Sequence, residues 1–303
     1  MIFPFLQGFP SLDKAPLTWI ILALNFLIFS MTFSGQLRQE TKMEEVFSKD
    51  SFLTVQGKVY SQFKDSSRMP ASAESEPFAK NEVFVAVQSV RDTEFLTTAN
   101  DMKFAGDQVA IGEWQVGLTN FLKEEKLRPA RIFGLSEGKM NWRNWITYQF
   151  MHGGIIHLIS NMLILLIFGG VLESRMGSLG FLSVYLLSGF FGALFFLKVS
   201  GVYGSPLIGA SGAIFGLIGC YTALEPKKRV RFFYFASPMN GYWGFVYLPT
   251  LFVISVCILP EVASFLSTPD GLGGVAYGAH IGGALFGILI GLILRKPLAH
   301  TPS

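Results

Sequence analysis

Apolar residues gather into six runs along this chain, at about 16–34, 155–172, 179–199, 209–224, 244–264 and 275–294, and the gaps between them hold nearly all the Lys, Arg, Asp and Glu. A helix crosses a hydrocarbon core with roughly 20 residues at 1.5 Å each. The pattern therefore predicts an all-α membrane protein, a bundle of six transmembrane helices. Between the first two runs, residues 35–144 break the pattern: they contain 15 basic and 16 acidic residues, and their apolar positions are scattered. We expect an extramembrane insertion of roughly 110 residues, helical in its second half, where Val109, Trp114, Val116, Leu118 and Leu122 have helical spacing. Its first half, QGKVYSQFKDSSRMPASAESEP, ends in a Ser/Ala/Pro/Glu stretch that reads as a loop or linker.

Composition agrees with this reading. Half of the 303 residues are apolar, only 15% are charged, and Phe is abundant, the profile of an integral multi-pass membrane protein. The small positive charge reports orientation rather than nucleic-acid binding. Lys14 precedes the first run, Arg175 follows the second, Lys227, Lys228, Arg229 and Arg231 follow the fourth, and Arg295 and Lys296 follow the sixth. The alternate short loops carry only Lys198 among basic residues, with Glu261 and Asp270 after the fifth run. By the positive-inside rule both termini are cytoplasmic, and the insertion is translocated. In a bacterium this is the cytoplasmic (inner) membrane. The first run is longer than the 7–15 residue core of a signal peptide and lacks an A-x-A site, so it reads as a retained helix. The expected organisation is a cytoplasmic N-terminus and first span (1–34), a non-cytoplasmic insertion (35–144), a core of five spans (145–296) and a cytoplasmic tail (297–303). Cys220 and Cys257 lie within runs without metal-site spacing and read as packing residues. His300, in the short polar tail, carries no expected role.

Polar side chains inside hydrocarbon are costly and mark function. Run two opens with HGGIIHLISN, containing His152, His157 and Asn161; run four opens at GASGAIFG with Ser211; run six carries His280 in YGAHIGG. All three runs cross in the same direction, so these residues share one depth toward the outer face. His157 and Asn161, four apart, project from one helix face. Gly212, Gly216 and Gly219 form one small-residue ridge, and Ala279, Gly283, Gly287 and Gly291 form another. If the ridges meet, Ser211 and His280 come within hydrogen-bonding reach. A neutral imidazole can then activate the hydroxyl. His157, Asn161 and the Ser211 N–H at a helix start can stabilise an oxyanion, and Gly209 and Ala210 leave room for a substrate carbonyl. The set reads as complete without an aspartate.

These motifs, G-x-S-G, A-H-x-G and H-x4-H-x3-N on alternate runs, together with YQFMHGG and FGGVLESRMGS, resemble the rhomboid family of intramembrane serine proteases. The resemblance implies a rhomboid catalytic core at 145–296, with Ser211 as nucleophile, His280 as general base and His157 and Asn161 at the oxyanion. It also implies structural support from His152, Phe215, Glu173 and Arg175, the last two charges at a helix end of the kind that normally faces water. No metal or cofactor is implied, and the partners are transmembrane protein substrates and the lipid bilayer, with no nucleic acid. Phe215 stands where many members have Tyr, and still offers a ring to pack on His280. Trp142-Arg143 sits one residue too far from His152 to align with the family's Trp-Arg pair. Taken singly, Ser211 reads as a packing residue bonded to a carbonyl, and His280 as a bridge between helices; the combination favours catalysis. The alternative is a catalytically silent relative that binds transmembrane segments. A transporter would need ionisable groups along a full path, whereas these stop at one depth.

Overall fold

The computed structural model describes residues 2–4, 11–48, 50–66, 85–86, 89–90, 92–135, 141–199, 206–235, 243–267 and 275–295. The loop or linker expected in the Ser/Ala/Pro/Glu stretch, the tail 297–303, Asp270, Lys296 and His300 lie outside them. The chain divides into two compact units: Met1–Ser30, Met140–Gly201 and Leu207–Ser303 form the first, and Met31–Lys139 with Val202–Pro206 the second. The boundary falls inside α1 (Pro16–Phe47).

In the first unit, α1 turns Thr18, Ile21, Asn25 and Phe29 inward, a helical face of three- and four-residue steps. Its start is tied down by an acidic residue distant in sequence. The Leu17 and Thr18 N–H groups donate to Glu173 Oε1 and Oε2 at 2.9 and 2.7 Å, and the Thr18 and Ser178 hydroxyls donate to the same carboxylate at 2.7 and 2.6 Å. These are the N–H groups that a helix start leaves without partners, and a carboxylate also complements the positive end of the helix dipole. Glu173 is 2% exposed, so it does not face water as a charge at a helix end was expected to. Arg175 pairs with Glu225.

The helical stretch Ile155–Val199 breaks at Gly177, whose φ of 76° and ψ of 165° lie where only glycine is unstrained. The break separates α7 (155–176) from α8 (178–199). The two small-residue ridges meet between α9 (Ser211–Leu224) and α11 (Tyr277–Leu294). A Cβ on Gly283 would fall 2.0 Å from the Gly212 carbonyl oxygen, one on Gly287 1.9 Å from that of Gly216, and one on Gly219 2.4 Å from that of Ala284. The backbones are in direct contact, so no side chain fits between them.

The fold is mostly helical but not all-α, and the fifth run does not begin as a helix. Trp243–Pro249 is a strand (β3) paired antiparallel with Arg229–Phe235 (β2), which in turn pairs with Ile2–Pro4 (β1). Register places Arg231 opposite Tyr247 and Phe233 opposite Phe245. Val230 and Phe232 are buried, while Trp243, Phe245 and Tyr247 are exposed, the two-residue period of a half-buried sheet. Aromatic and β-branched residues at that alternation favour strand over helix. Helix resumes as a π-helical turn (Ile254–Ile258) leading into α10 (Leu259–Ser267). Among the described residues, Pro16–Phe47, Ile155–Val199 and Tyr277–Leu294 are long and apolar enough to cross a membrane; Ser211–Leu224 and Ile254–Ser267 are apolar but shorter.

The second unit is helical and has its own aromatic core. It contains α2 (Asp50–Ser66), α3 (Thr93–Thr98), α4 (Gln108–Leu127) and α5 (Pro129–Phe133). Phe52, Phe63, Phe95, Phe104, Trp114 and Phe121 cluster with aliphatic neighbours. In α4 the buried face is Ile111, Trp114, Leu118, Phe121 and Glu125. Trp114 and Leu118 point inward as their spacing suggested, whereas Val109 and Val116 are exposed. Asp92 caps α3 through the Phe95 N–H at 3.0 Å and accepts from Lys64 at 2.7 Å and Tyr60 at 2.9 Å. Burial opposes ionisation of this carboxyl, but Lys64, the Phe95 N–H and Tyr60 outweigh it and hold Asp92 below the ordinary carboxylate value.

Two predictions follow from these contacts. Gly283→Ala and Gly287→Ala force methyl groups into backbone carbonyls and are each expected to cost about 1–3 kcal/mol of stability, read as a lower unfolding temperature in detergent. Because the folded Asp92 carboxyl has the lower pKa, its contribution is complete above 3.8 and is lost as pH falls through the folded value. The protection factors of the α3 amides against hydrogen exchange should fall over that acid window in the wild type. In Asp92→Asn, which keeps a capping oxygen without the charge, that fall should be absent.

Candidate active site

The site is built around the first residue of α9. Gly209, with φ 122°, gives its N–H to the Tyr148 carbonyl at 2.8 Å, and the Tyr148 hydroxyl donates to the Gly189 carbonyl of α8 at 2.6 Å. Tyr148 belongs to a 3-10 turn (Tyr148–Phe150) after the short helix α6 (Asn144–Thr147). The loop before the serine is thus held by two elements at once. Ala210 is fully buried and occupies the N-cap position, with its carbonyl accepting from the Ile214 N–H at 3.0 Å. Ser211 follows as the first helical residue, and its N–H has no partner four residues back in the helix.

The glycine ridges bring α11 against this point. His280 Nε2 lies 2.8 Å from Ser211 Oγ. Phe215, one turn along α9, stacks on the imidazole with ring centroids 4.4 Å apart and planes 10° apart, and Tyr277 meets it edge-on at 6.5 Å. The imidazole is therefore stacked flat against an apolar ring. On its other edge, His280 Nδ1 lies 2.6 Å from Glu261 Oε2 of α10. The sequence reading missed this residue, counting Glu261 as an outer-loop charge. The available signal was an ionisable residue inside the apolar stretch ILPEVASFL, which in a membrane segment marks either a partner or a function.

His157 comes in from α7. A Cβ on Gly209 would meet its Cε1 and Nε2 at 3.0 Å and Ser211 Oγ at 3.6 Å, so the imidazole borders the space beside the serine. Asn161, one turn further along α7, is buried, and its Nδ2 finds no hydrogen-bond partner among the described residues. A buried unpaired donor is costly, and it suits a group that arrives with the substrate. His152 is 1% exposed, its ring nitrogens also lack hydrogen-bond partners among the described residues, and its ring packs edge-on to His157 at 5.1 Å. Ser211, His280, Phe215, Gly209, Ala210 and His157 are thus gathered in one place. Glu173 and Arg175 are not part of it, since they tie α7 to α1 and to Glu225. Trp142 is 72% exposed and pairs with the Arg143 guanidinium. Cys220 is buried, Cys257 is half-buried, and both are free thiols. Among the described residues no group of three or more His, Cys, Asp or Glu is placed to hold a metal ion.

Residues 139–297 match the family model described as the Rhomboid domain. The chain is 34% identical over 152 residues to "Rhomboid protein 1, mitochondrial" of Saccharomyces cerevisiae, a match covering 48% of this chain and 40% of that protein. It is 33% identical over 158 residues to "RHOMBOID-like protein 6, mitochondrial" of Arabidopsis thaliana, covering 52% and 45%. It is also 32% identical over 143 residues to "Rhomboid-like protease 5" of Toxoplasma gondii, covering 47% and 15%. The chain thus spans less than half the length of these curated relatives.

Gly209 is the backbone position on which the serine loop turns. Gly209→Ala is expected to cost about 1–3 kcal/mol through its positive φ and to press the new methyl on His157, slowing modification of Ser211 by a fluorophosphonate. Gly154→Ala, where a Cβ meets nothing within 4 Å, should leave both unfolding temperature and labelling rate unchanged.

Proposed function

From the premise that this chain belongs to the rhomboid family of membrane proteins, we propose that it is an intramembrane serine endopeptidase that cleaves transmembrane protein substrates near the outer membrane face. The observation that carries the proposal is the 2.8 Å contact between Ser211 Oγ and His280 Nε2. In the proposed reaction His280 Nε2 takes the hydroxyl proton as Oγ bonds to the scissile carbonyl carbon. The carbonyl oxygen becomes an oxyanion, held by the Ser211 N–H, His157 and Asn161. The imidazolium then gives its proton to the leaving amine as the C–N bond breaks. Water, deprotonated by the same imidazole, hydrolyses the acyl-enzyme and restores the serine.

Six spans and cytoplasmic termini are part of this reading, with α1, α7, α8, α9, the helix ending in α10, and α11 as the crossings. α9 is shorter than a full crossing. Its 14 residues extend about 21 Å, well under a hydrocarbon core of about 30 Å. Ser211 at its outer end would therefore lie below the membrane surface, beneath a water-filled opening. In a bacterial cell the host membrane would be the cytoplasmic one. A catalytically silent protein that only binds transmembrane segments would have no use for a serine held on a histidine.

Ser211→Ala is expected to abolish cleavage of a transmembrane reporter substrate and fluorophosphonate labelling while the unfolding temperature stays at the wild-type value; retained cleavage would sink the assignment. Asn161→Ala is expected to lower kcat by about 100-fold, the size of effect when one oxyanion donor is removed, with labelling of Ser211 still detectable.

A further inference from the structure

We propose that Glu261 is the positioning residue of a Ser211–His280–Glu261 relay, so that the base of this site is set from α10 as well as from α11. The proposal rests on the serine endopeptidase reading for its reaction and on geometry for its parts. Glu261 Oε2 and Ser211 Oγ lie on opposite edges of one imidazole, 2.6 Å from Nδ1 and 2.8 Å from Nε2. An ionised carboxylate only accepts hydrogen bonds. The proton of the neutral ring is therefore on Nδ1, and Nε2 is left with the lone pair that must receive the serine proton. Without Glu261 the ring is free to hold its proton on Nε2, where it cannot act as a base. When the imidazolium forms during attack, the same carboxylate faces the new charge at hydrogen-bond distance.

The local fold presents Glu261 to the histidine in an unusual way. The helix before α10 is a π turn, in which the Leu259 N–H bonds to the Ile254 carbonyl five residues back. Pro260 follows and has no N–H to give. One extra residue in a turn rotates everything after it by about 100° about the helix axis. That rotation brings Glu261 onto the face that meets α11, while α10 buries none of its own residues. A carboxylate in an apolar segment is expensive unless paired, and His280 is its partner. The other groups around the imidazole are Ser211 and Phe215 on α9, His157 on α7 and Tyr277 on α11. Cys257, one turn before Glu261, is the neighbouring titratable group on its own side.

The test uses the full chain in proteoliposomes with a fluorogenic transmembrane substrate, comparing wild type, Glu261→Gln, Glu261→Asp and Ser211→Ala. Removing an orienting carboxylate of this kind lowers kcat by up to about 10⁴-fold. Glu261→Gln is expected to lose at least about 100-fold in kcat with little change in KM. Glu261→Asp is expected to recover part of the rate. A Glu261→Gln enzyme with wild-type kcat overturns the proposal. So does a loss of rate that tracks a lower unfolding temperature and is not recovered by Asp. The chain has four histidines, so the ¹⁵N signals of His280 can be assigned against His280→Ala. An Nδ1–H tautomer lost in Glu261→Gln supports the relay even if the wild type cleaves nothing, which would sink only the endopeptidase reading. An Nε2–H tautomer in the wild type overturns the relay whatever the activity.

Discussion

The site depends on the absence of side chains where α9 meets α11. Gly283 lies against the Gly212 carbonyl and Gly287 against that of Gly216, so closely that a Cβ at either would fall about 2 Å from an oxygen. Within a membrane this contact is not driven by the hydrophobic effect, since lipid chains are as apolar as the helices; dispersion between close-packed backbones has to supply it. The result is directional as well as tight. Residues directly above the contact, Ser211 at the start of one helix and His280 in the first turn of the other, are brought to 2.8 Å.

This is also why the centre of the site was legible in the sequence. A four-residue repeat of small residues in one run, a second ridge in another, and a single polar residue at the same end of each define a contact and its register with no knowledge of loops. HGGIIHLISN was legible for the same reason, since His157 and Asn161 sit one helical turn apart at the same depth. Phe215 was placed by the resemblance alone, since it stands where many rhomboid members have Tyr; its ring stacks on His280. What could not be read depended on departures from regular helix. The run from 244 looked like one span because hydropathy does not register period, yet its first residues alternate as Trp243, Phe245 and Tyr247 outward and pair with β2. The π turn at Ile254–Ile258 then rotates α10, so no count of 3.6 residues per turn from the start of the run would have turned Glu261 toward His280. In the second unit the inward face of α4 was half recognised. Trp114 and Leu118 belong to it, but Val109 and Val116 are apolar without being buried, and Ile111, Phe121 and Glu125 complete it.

Glu173 and Glu261 solve the same electrostatic problem in different ways. Glu173 is surrounded by donors: two backbone N–H groups and two hydroxyls from α1 and from the start of α8 satisfy both oxygens. Charge held by that many fixed donors is structural. It fastens the first helix to the core, and nothing is left over to bind. Glu261 is anchored by a single strong contact, on a helix that buries nothing. Its charge is compensated by a ring that changes its own charge during the proposed reaction.

That difference bears on how the site can respond to its surroundings. The Ser211–His280 contact is locked by backbone packing and changes only if α9 and α11 separate. The His280–Glu261 contact comes instead from a helix with no buried residue of its own. In the proposed relay the rigid pair would supply the nucleophile and the base, and the carboxylate would set the tautomer in which that base can accept a proton.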